Sequence, residues 1–339
     1  MTLAEHVFAA FDDFNVLGRT LGDADAMTLF THLRDEMYFL PAFLDHYRRL
    51  GIERFIVVDD RSQDGSREFL LDQPDVMVLG TSLRFGETRS IPSGHLNVKA
   101  ERAKNAWHNL LPARYAPQRW SAKVDLDEFV ELPLGMTFRD LDKRAKAAGG
   151  SAVYGAMLDL YPERLALGEA ERTFDPDNGW YFDALPHLRL RGSTRPRQVY
   201  NGARARLLVK HGLWPAPVVR ASRRLLGVTR PPMFCWLFKA VFIRWGEETL
   251  QENSHVVRAP TVPDAVLPIK HYKFADDVRR RTGEARKQGD YALRSREYSA
   301  LDGLVDLLER TGSRLTFEHS RPVEGFEAFA ASGNGRIGT

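Results

Sequence analysis

The stretch of this chain best equipped for chemistry is Val124-Asp125-Leu126-Asp127-Glu128-Phe129. If it leaves the end of a strand, Asp125 and Asp127 point the same way, because side chains repeat every second residue. Three acids packed together are unfavourable unless a positive charge sits among them. A hard divalent cation that also holds substrate phosphates meets that need. The spacing therefore predicts Mn²⁺ or Mg²⁺ on Asp125 and Asp127, and a phosphorylated substrate. The plain alternative is a solvated turn. Against it stands the setting: an apolar-leaning run, Trp120 to Val124, precedes the acids, and Phe129-Val130-Glu131-Leu132-Pro133 follows. Such a strand reads as the carboxyl edge of an α/β sheet, where ligands bind.

A second acid-tipped run is Val57-Val58-Asp59-Asp60-Arg61-Ser62-Gln63-Asp64-Gly65-Ser66. Acids at the end of a buried strand can accept hydrogen bonds from a nucleobase or a ribose hydroxyl. Asp60 is read as such a ligand, and Ser62 and Asp64 as caps for the next helix. No Gly-x-Gly-x-x-Gly follows the strand and no Walker-type loop is present, so neither dinucleotide nor P-loop chemistry is indicated.

The elements that must hold these acids alternate. Ala26 to Leu33 is a first strand, and Phe39 to Leu50 a helix with apolar residues at helical spacing, Pro41 in its first turn and Gly51 at its end. Arg54 to Val58 is a buried parallel strand. Arg67–Leu71 is a helix, Val76–Leu79 a strand, Asn97 to Leu111 a helix with a basic first half, and Trp120 to Val124 a strand. This order predicts a mostly parallel twisted sheet flanked by helices. Later, Phe138–Ala148 is a helix and Ala152–Leu160, Phe238–Arg244 and Val266–Phe274 are strands. Leu301–Arg310 is a helix, within an irregular C-terminal region.

The 339 residues divide into a peripheral extension (1–26), an alternating α/β half (27–133), a more irregular half (134–331) and a flexible Gly-rich tail (332–339). The single cysteine, Cys235, excludes an internal disulfide and any Cys-x-x-Cys metal site. With no signal peptide or membrane-spanning run in view, the expected location is cytoplasmic. Net charge is only +3, yet thirteen Lys/Arg and no Asp/Glu lie between Ala184 and Gly246. That bias asks for an anionic partner. Within it, Arg220 to Trp245 interleaves Arg with apolar residues. Peripheral contact with the inner face of a membrane is one reading; core apolar residues with Arg on a diphosphate or acidic acceptor is the other, and the favoured one.

Four ordered blocks carry a family resemblance: Thr31-His32-Leu33-Arg34-Asp35-Glu36, Leu40-Pro41-Ala42-Phe43-Leu44-Asp45-His46-Tyr47, Val58 to Ser66, and Val124 to Phe129. Together they resemble the family 2-like glycosyltransferases, over about residues 26–133. Asn201 to Leu207 and Lys270-His271-Tyr272-Lys273-Phe274 resemble later blocks. The resemblance implies the GT-A fold, a nucleotide-diphosphate sugar donor bound by the nucleotide-sugar-binding half 27–133, and a glycan or lipid-linked glycan acceptor bound by the irregular C-terminal acceptor half 134–331. It implies that Asp60, with Asp59 beside it, reads the nucleobase, that Arg34 and Glu36 line the nucleotide pocket, and that Asp125 and Asp127 are the metal motif. Glu128 departs from a plain Asp-x-Asp and is read as a possible partner for an Arg.

Inverting transfer needs a carboxylate to take the acceptor proton. Asp183, after Trp180-Tyr181-Phe182, and Asp159, at the end of an apolar strand, are the candidates, Asp183 first. His271 is a candidate metal ligand, with His255 behind it, and Lys270 or Lys273 is placed on the leaving diphosphate. The rival readings are a nucleotidyltransferase acting on sugar phosphates, which lacks its Gly-rich basic loop here, and a non-enzymatic anion- or nucleic-acid-binding protein using the Arg-rich stretch, which leaves the acids unexplained. No nucleic-acid partner is expected.

Overall fold

The computed structural model describes residues 1–22, 25–92, 94–96, 98–165, 173–213, 236–288 and 292–338. Ten strands form one mixed sheet: β1 (Asn15–Leu17), β2 (Thr28–Leu33), β3 (Arg54–Asp59), β4 (Val76–Gly80), β5 (Trp120–Lys123), β6 (Glu128–Val130), β7 (Ala152–Asp159), β8 (Phe238–Arg244), β9 (Thr261–His271) and β10 (Arg336–Ile337). Their order is β1-β4-β3-β2-β5-β8-β7-β9-β10, with β6 also paired to β9. The two expected halves thus share one sheet, joined where β8 pairs with β5.

The sheet is apolar on both faces. In β3, Phe55 and Val57 enter one core while Ile56 and Val58 enter the other, which is why that run reads as uninterrupted rather than alternating. Helix Leu40–Arg49 lays Phe43, Leu44 and Tyr47 on the first face, with Pro41 in its first turn. Gly51 follows at φ +82°, the left-handed position that ends a helix. Helix Phe138–Ala147 joins that face, its start fixed by a capping box between Thr137 and Asp140. Helix Ala103–Tyr115 covers the second face through Ala106, Trp107, Leu110 and Leu111.

Strand direction explains how the site assembles. β2, β3 and β4 are parallel, as are β2 and β5. β8 runs antiparallel to both β5 and β7, so β7 points the same way as β5, and β9 is parallel to β7. The carboxyl ends of β2, β3, β5, β7 and β9 therefore meet at one edge. There stand Arg34, Asp60, Asp125, Asp159 and His271, and the reversed β8 brings its amino end, with Lys239, to the same edge.

Four expectations need correcting. The sheet is mixed rather than mostly parallel, because β1, β8, β6 and β10 pair antiparallel to their neighbours. Residues 1–26 are not peripheral: Ala4, Val7, Phe8 and Phe11 are buried against the helix around Trp107, and β1 extends the sheet beside β4. The C-terminal tail is pinned rather than frayed. β10 pairs with Ala265 and Val266, and the side chain of the fully buried Asn334 accepts from the His187 amide and donates to the Leu185 carbonyl. The helix expected from Asn97 starts at Ala103, because Ala100–Arg102 is spent on a ladder with Thr88–Ser90; Asn97 itself lies outside the described residues, as does Cys235. Among the described residues no helix is long and apolar enough to cross a membrane.

Candidate active site

A cavity of about 640 Å³ opens at the edge where the strands end, and His32, Arg34, Glu36, Asp125, Asp127 and His271 all line it. The loop carrying Arg34 and Glu36 is held by the neighbouring loop. The amides of Asp35, Glu36 and Met37 donate to Ser62 Oγ (3.0 Å), Ser66 Oγ (3.1 Å) and Asp64 Oδ2 (2.9 Å). Ser62 thus serves the pocket loop rather than the helix, whereas Asp64 serves both, its Oδ1 accepting from the amide and hydroxyl of Ser66 at the helix start, just after Gly65 at φ +90°. Neither Nε nor Nη1 of Arg34 has a hydrogen-bond partner, although Nε lies 3.5 Å from Asp35.

Glu36 Oε2 also lacks a partner. Burial pushes this carboxyl up to about 8, against the opposing pull of Arg281. At neutral pH it is a proton-bearing group facing the cavity, able to donate to a ligand oxygen. The sign of the linkage follows. The folded state holds a proton that the unfolded chain releases near 4.5, so this contribution to stability is complete below that value and lost as pH rises through about 8. Glu36→Gln is expected to flatten the stability profile between those limits and to be more stable than the parent at pH 9, by about 2 kcal/mol once residual solvent contact is allowed for. Urea titrations at three pH values check this; a profile unchanged by the substitution refutes it.

Asp60 is buried, its Oδ2 accepting from the Phe85 amide at 3.1 Å and its Oδ1 lying 3.4 Å from Arg61. Burial raises its pKa, with the Phe85 amide and Arg61 acting against the rise. Phe85 lines the cavity, so Asp60 sits just behind the wall. Asp59 is turned away: it accepts from the Ser62 amide at 3.0 Å and pairs with Arg67 at 2.5 Å.

The acids of the Asp-x-Asp stretch are wrapped in cations. Lys239 Nζ, itself 1% exposed, lies 3.1 Å from Asp125 Oδ2 and 2.6 Å from Glu128 Oε2. Burial alone would lower the pKa of Lys239, but those two carboxylates raise it, so it stays charged. Asp127 Oδ2 lies 3.0 Å from Arg281, 3.4 Å from Lys273 and 3.4 Å from His271 Nε2. Despite burial, Lys273 and His271 hold Asp127 well below the usual carboxylate range. His271 Nδ1 in turn meets Asp159 Oδ1 at 2.7 Å, and Asp159 Oδ2 accepts from Arg204 Nε at 2.7 Å. Burial would depress the imidazole, but Asp127 and Asp159 raise its pKa above the ordinary value.

One arrangement resembles a metal cradle. His32, His108 and Asp125 can bring one ligand atom each within 4.8 Å of one another, and Asp125 Oδ1 and His108 Nδ1 have no hydrogen-bond partner. Burial first, and lysines second, drive His32 to about 3 and His108 well down, so both rings are neutral. The same lysines make a dication a poor fit. An ion on Asp125 Oδ1 would share its carboxylate with Lys239, and a unit charge about 4 Å from another is worth about 4 kcal/mol at a near-surface dielectric. Asp127 Oδ2 is already met by Arg281, Lys273 and His271. These neighbours weigh against the expected Mn²⁺ or Mg²⁺ on the two aspartates.

Several expected site residues are not brought together. Lys270 alternates away from His271 along β9 and pairs with Glu131 at 2.7 Å, so of the two expected lysines it is Lys273 that lines the cavity. Asp159 is buried behind His271. Asp183 does not line the cavity; it accepts from Tyr161 Oη (2.5 Å), Tyr200 Oη (2.6 Å) and Arg206 Nη2 (2.8 Å). His255 lines the wall, its Nδ1 2.9 Å from the Phe238 carbonyl. The charge bias of the basic stretch is in part internal pairing: Arg204, Arg206 and Lys239 meet acids from other segments. Arg220, Arg223, Arg224 and Arg230, on which the membrane reading rested, lie outside the described residues.

Sequence reasoning missed Lys104, Lys239, Arg281 and the His32–His108 pair. A lysine inside the apolar run Phe238-Lys239-Ala240-Val241-Phe242 was the one available signal, since an ammonium there must find a buried acid.

No family model matches the chain. It is similar to a glycosyltransferase family 92 protein of Oryza sativa subsp. japonica, 30% identical over 118 residues, which is 35% of this chain and 18% of that protein. It is also similar to a glycosyltransferase family 92 protein of Ricinus communis, 29% identical over 125 residues, 37% of this chain and 20% of that protein. The chain thus spans about a fifth of the length of the curated relatives it matches. Those names place the likeness with family 92, where the sequence blocks had pointed to family 2-like enzymes; both are glycosyltransferase families.

Proposed function

We propose that this chain is a glycosyltransferase of the GT-A type, moving a hexosyl group from a nucleotide-diphosphate donor to a glycan or lipid-linked glycan acceptor with inversion. The observation that carries the reading is the convergence of Arg34, Glu36, Asp125, Asp127 and His271 on one cavity at the carboxyl edge of a mixed α/β sheet. The glycosyltransferase names of the two relatives support it.

In this reading the nucleotide lies over β2 and β3, near Asp60 and the Arg34–Glu36 loop. The diphosphate faces Lys273, Arg281 and His271, which offset charge as it departs. In a single displacement the acceptor oxygen bonds to the anomeric carbon. The bond to the diphosphate oxygen breaks with its electron pair, and the acceptor proton passes to a carboxylate of the cavity wall. Asp159 and Asp183 have their oxygens taken by cations and hydroxyls. We assign them to positioning, Asp159 of His271 and Arg204, and Asp183 of Arg206.

Thermal denaturation with a panel of nucleoside diphosphates tests the reading, because a ligand that binds only the folded state stabilises it, by about 2.7 kcal/mol at a hundredfold excess over Kd. One uridine or guanosine diphosphate is expected to raise the Tm. Stabilisation by nucleoside triphosphate plus sugar phosphate alone would favour a nucleotidyltransferase, and by unrelated DNA alone an anion-binding protein.

A further inference from the structure

We propose that this chain's own side chains stand in for a metal, Lys239, Lys273 and Arg281 answering the three carboxylates and Lys104 and His271 left at the cavity for the donor's diphosphate, and that donor binding requires no divalent ion. This rests on the reading of the cavity as a donor site.

Lys239 stands where a metal would be sought. Its strand is central in the sheet, hydrogen-bonded on both sides to β5 and β7, so its backbone position is fixed. Its ammonium bridges the first acid of the Asp-x-Asp pair and the glutamate that follows the second. Glu128 is locked in turn: its Oε2 also accepts from the Asp125 amide at 2.9 Å, and its main chain pairs with His271. Mg²⁺ demands oxygens at about 2.0–2.1 Å in near-octahedral array. With Asp125 Oδ2 and Glu128 Oε2 held at 3.1 Å and 2.6 Å by that ammonium, an ion at Asp125 is left Oδ1 alone, on a carboxylate it would share with Lys239.

The second aspartate is compensated independently. Arg281 is held by four further contacts besides Asp127: its Nε donates to Asp277 at 2.9 Å, its Nη2 to the Tyr272 carbonyl at 2.9 Å and the Lys273 carbonyl at 3.5 Å, and its guanidinium lies 5.0 Å from the Phe39 ring centroid. A guanidinium fixed in this way is a preorganised anion receptor, not a mobile counter-ion that a metal would displace. Lys104 lines the same cavity at the start of helix Ala103–Tyr115. Three carboxylates, Asp125, Asp127 and Glu128, thus face Lys239, Lys273 and Arg281, with His271 and Lys104 beyond them. The cluster is charge-balanced before any ion enters, and a diphosphate arriving there meets the remaining positive groups.

Calorimetric titration of the full chain with the panel of nucleoside diphosphates, once in EDTA and once in Mn²⁺, tests this. One diphosphate is expected to bind in EDTA with a Kd within about threefold of its value in Mn²⁺. Lys104→Met and Lys273→Met, whose side chains line the cavity, are each expected to weaken that binding at least tenfold in EDTA with an unchanged circular dichroism spectrum. Binding seen only with Mn²⁺ overturns the proposal while leaving the donor reading intact. Binding in EDTA that neither cavity-lysine variant alters also overturns it. No binding in either buffer overturns both.

Discussion

Asp183→Ala is expected to lower the stability of this protein by about 3–5 kcal/mol, the range found when one partner of a buried ion pair is removed, and to leave the activity of the folded fraction within about threefold. The carboxylate gathers Arg206 and the hydroxyls of Tyr161 and Tyr200 at 2.5–3.0 Å. Arg206 also lies 4.1 Å from the Phe317 ring centroid and 5.4 Å from that of Tyr161. Without Asp183 its guanidinium stays in that aromatic box with no counter-charge. Tyr161 holds its proton tightly, burial and the neighbouring carboxylate both pushing its pKa up, so the cluster is a donor network closed on one acceptor. Asp183→Asn, which keeps an acceptor oxygen, is expected to lose less. Urea unfolding gives the stability, and turnover measured where both proteins are folded gives the activity. A general base removed from an active site loses about 10²–10⁴-fold in rate; a loss of that size with stability intact would return Asp183 to the role first expected of it.

The second large effect is expected at Asp125. Its Oδ1 is buried at the cavity wall with no hydrogen-bond partner, while Oδ2 is steadied by Lys239. An ionised acceptor held in this way suits a ribose or sugar hydroxyl. Burial alone would raise the Asp125 pKa, but Lys239 and Lys104 hold it well below the usual range, so it is charged across the working pH. Hydrogen bonds to charged groups contribute about 1.5–3 kcal/mol. Asp125→Asn is therefore expected to lower kcat/KM about ten- to hundredfold. Glu128 still holds Lys239 at 2.6 Å in the variant, so the loss of stability should stay below the roughly 3–5 kcal/mol expected when a buried charge loses its partner outright. Steady-state kinetics and a denaturation curve on the same preparation separate the two; an unchanged kcat/KM would remove Asp125 from the donor site.

The nucleotide-binding half was legible because its signals are local. The run Arg54 to Val58 is apolar without a break, Pro41 and Gly51 mark the ends of a helix, and acids tip two strands. Arg34, Glu36, Asp125, Asp127 and His271 were named from sequence and do line one cavity. What stayed hidden was whatever depends on chain reversal. Lys239 lies 111 residues from Glu128, and Arg281 lies 154 from Asp127; nothing local to either acid announces its partner. Asp183 was picked out behind the aromatic run Trp180-Tyr181-Phe182, yet Trp180 and Phe182 are buried in the main core. Periodicity marks such side chains as apolar, and only packing tells a core ring from a binding face. The pairing of Asp59 with Arg67 escaped notice for a different reason. Two consecutive acids after a strand point to opposite sides, so one faces the pocket and its neighbour the following helix.

The most direct test is product analysis. The full chain is incubated with a panel of nucleotide-diphosphate sugars and candidate glycan and lipid-linked acceptors, and nucleoside diphosphate and glycosylated acceptor are measured by mass spectrometry. Release of nucleoside diphosphate from one donor, matched mole for mole by an acceptor heavier by one hexosyl unit and reduced at least tenfold in Asp125→Asn, is the result this account predicts. Turnover of no nucleotide sugar, alongside joining of a nucleoside triphosphate to a sugar phosphate by the same preparation, would contradict it.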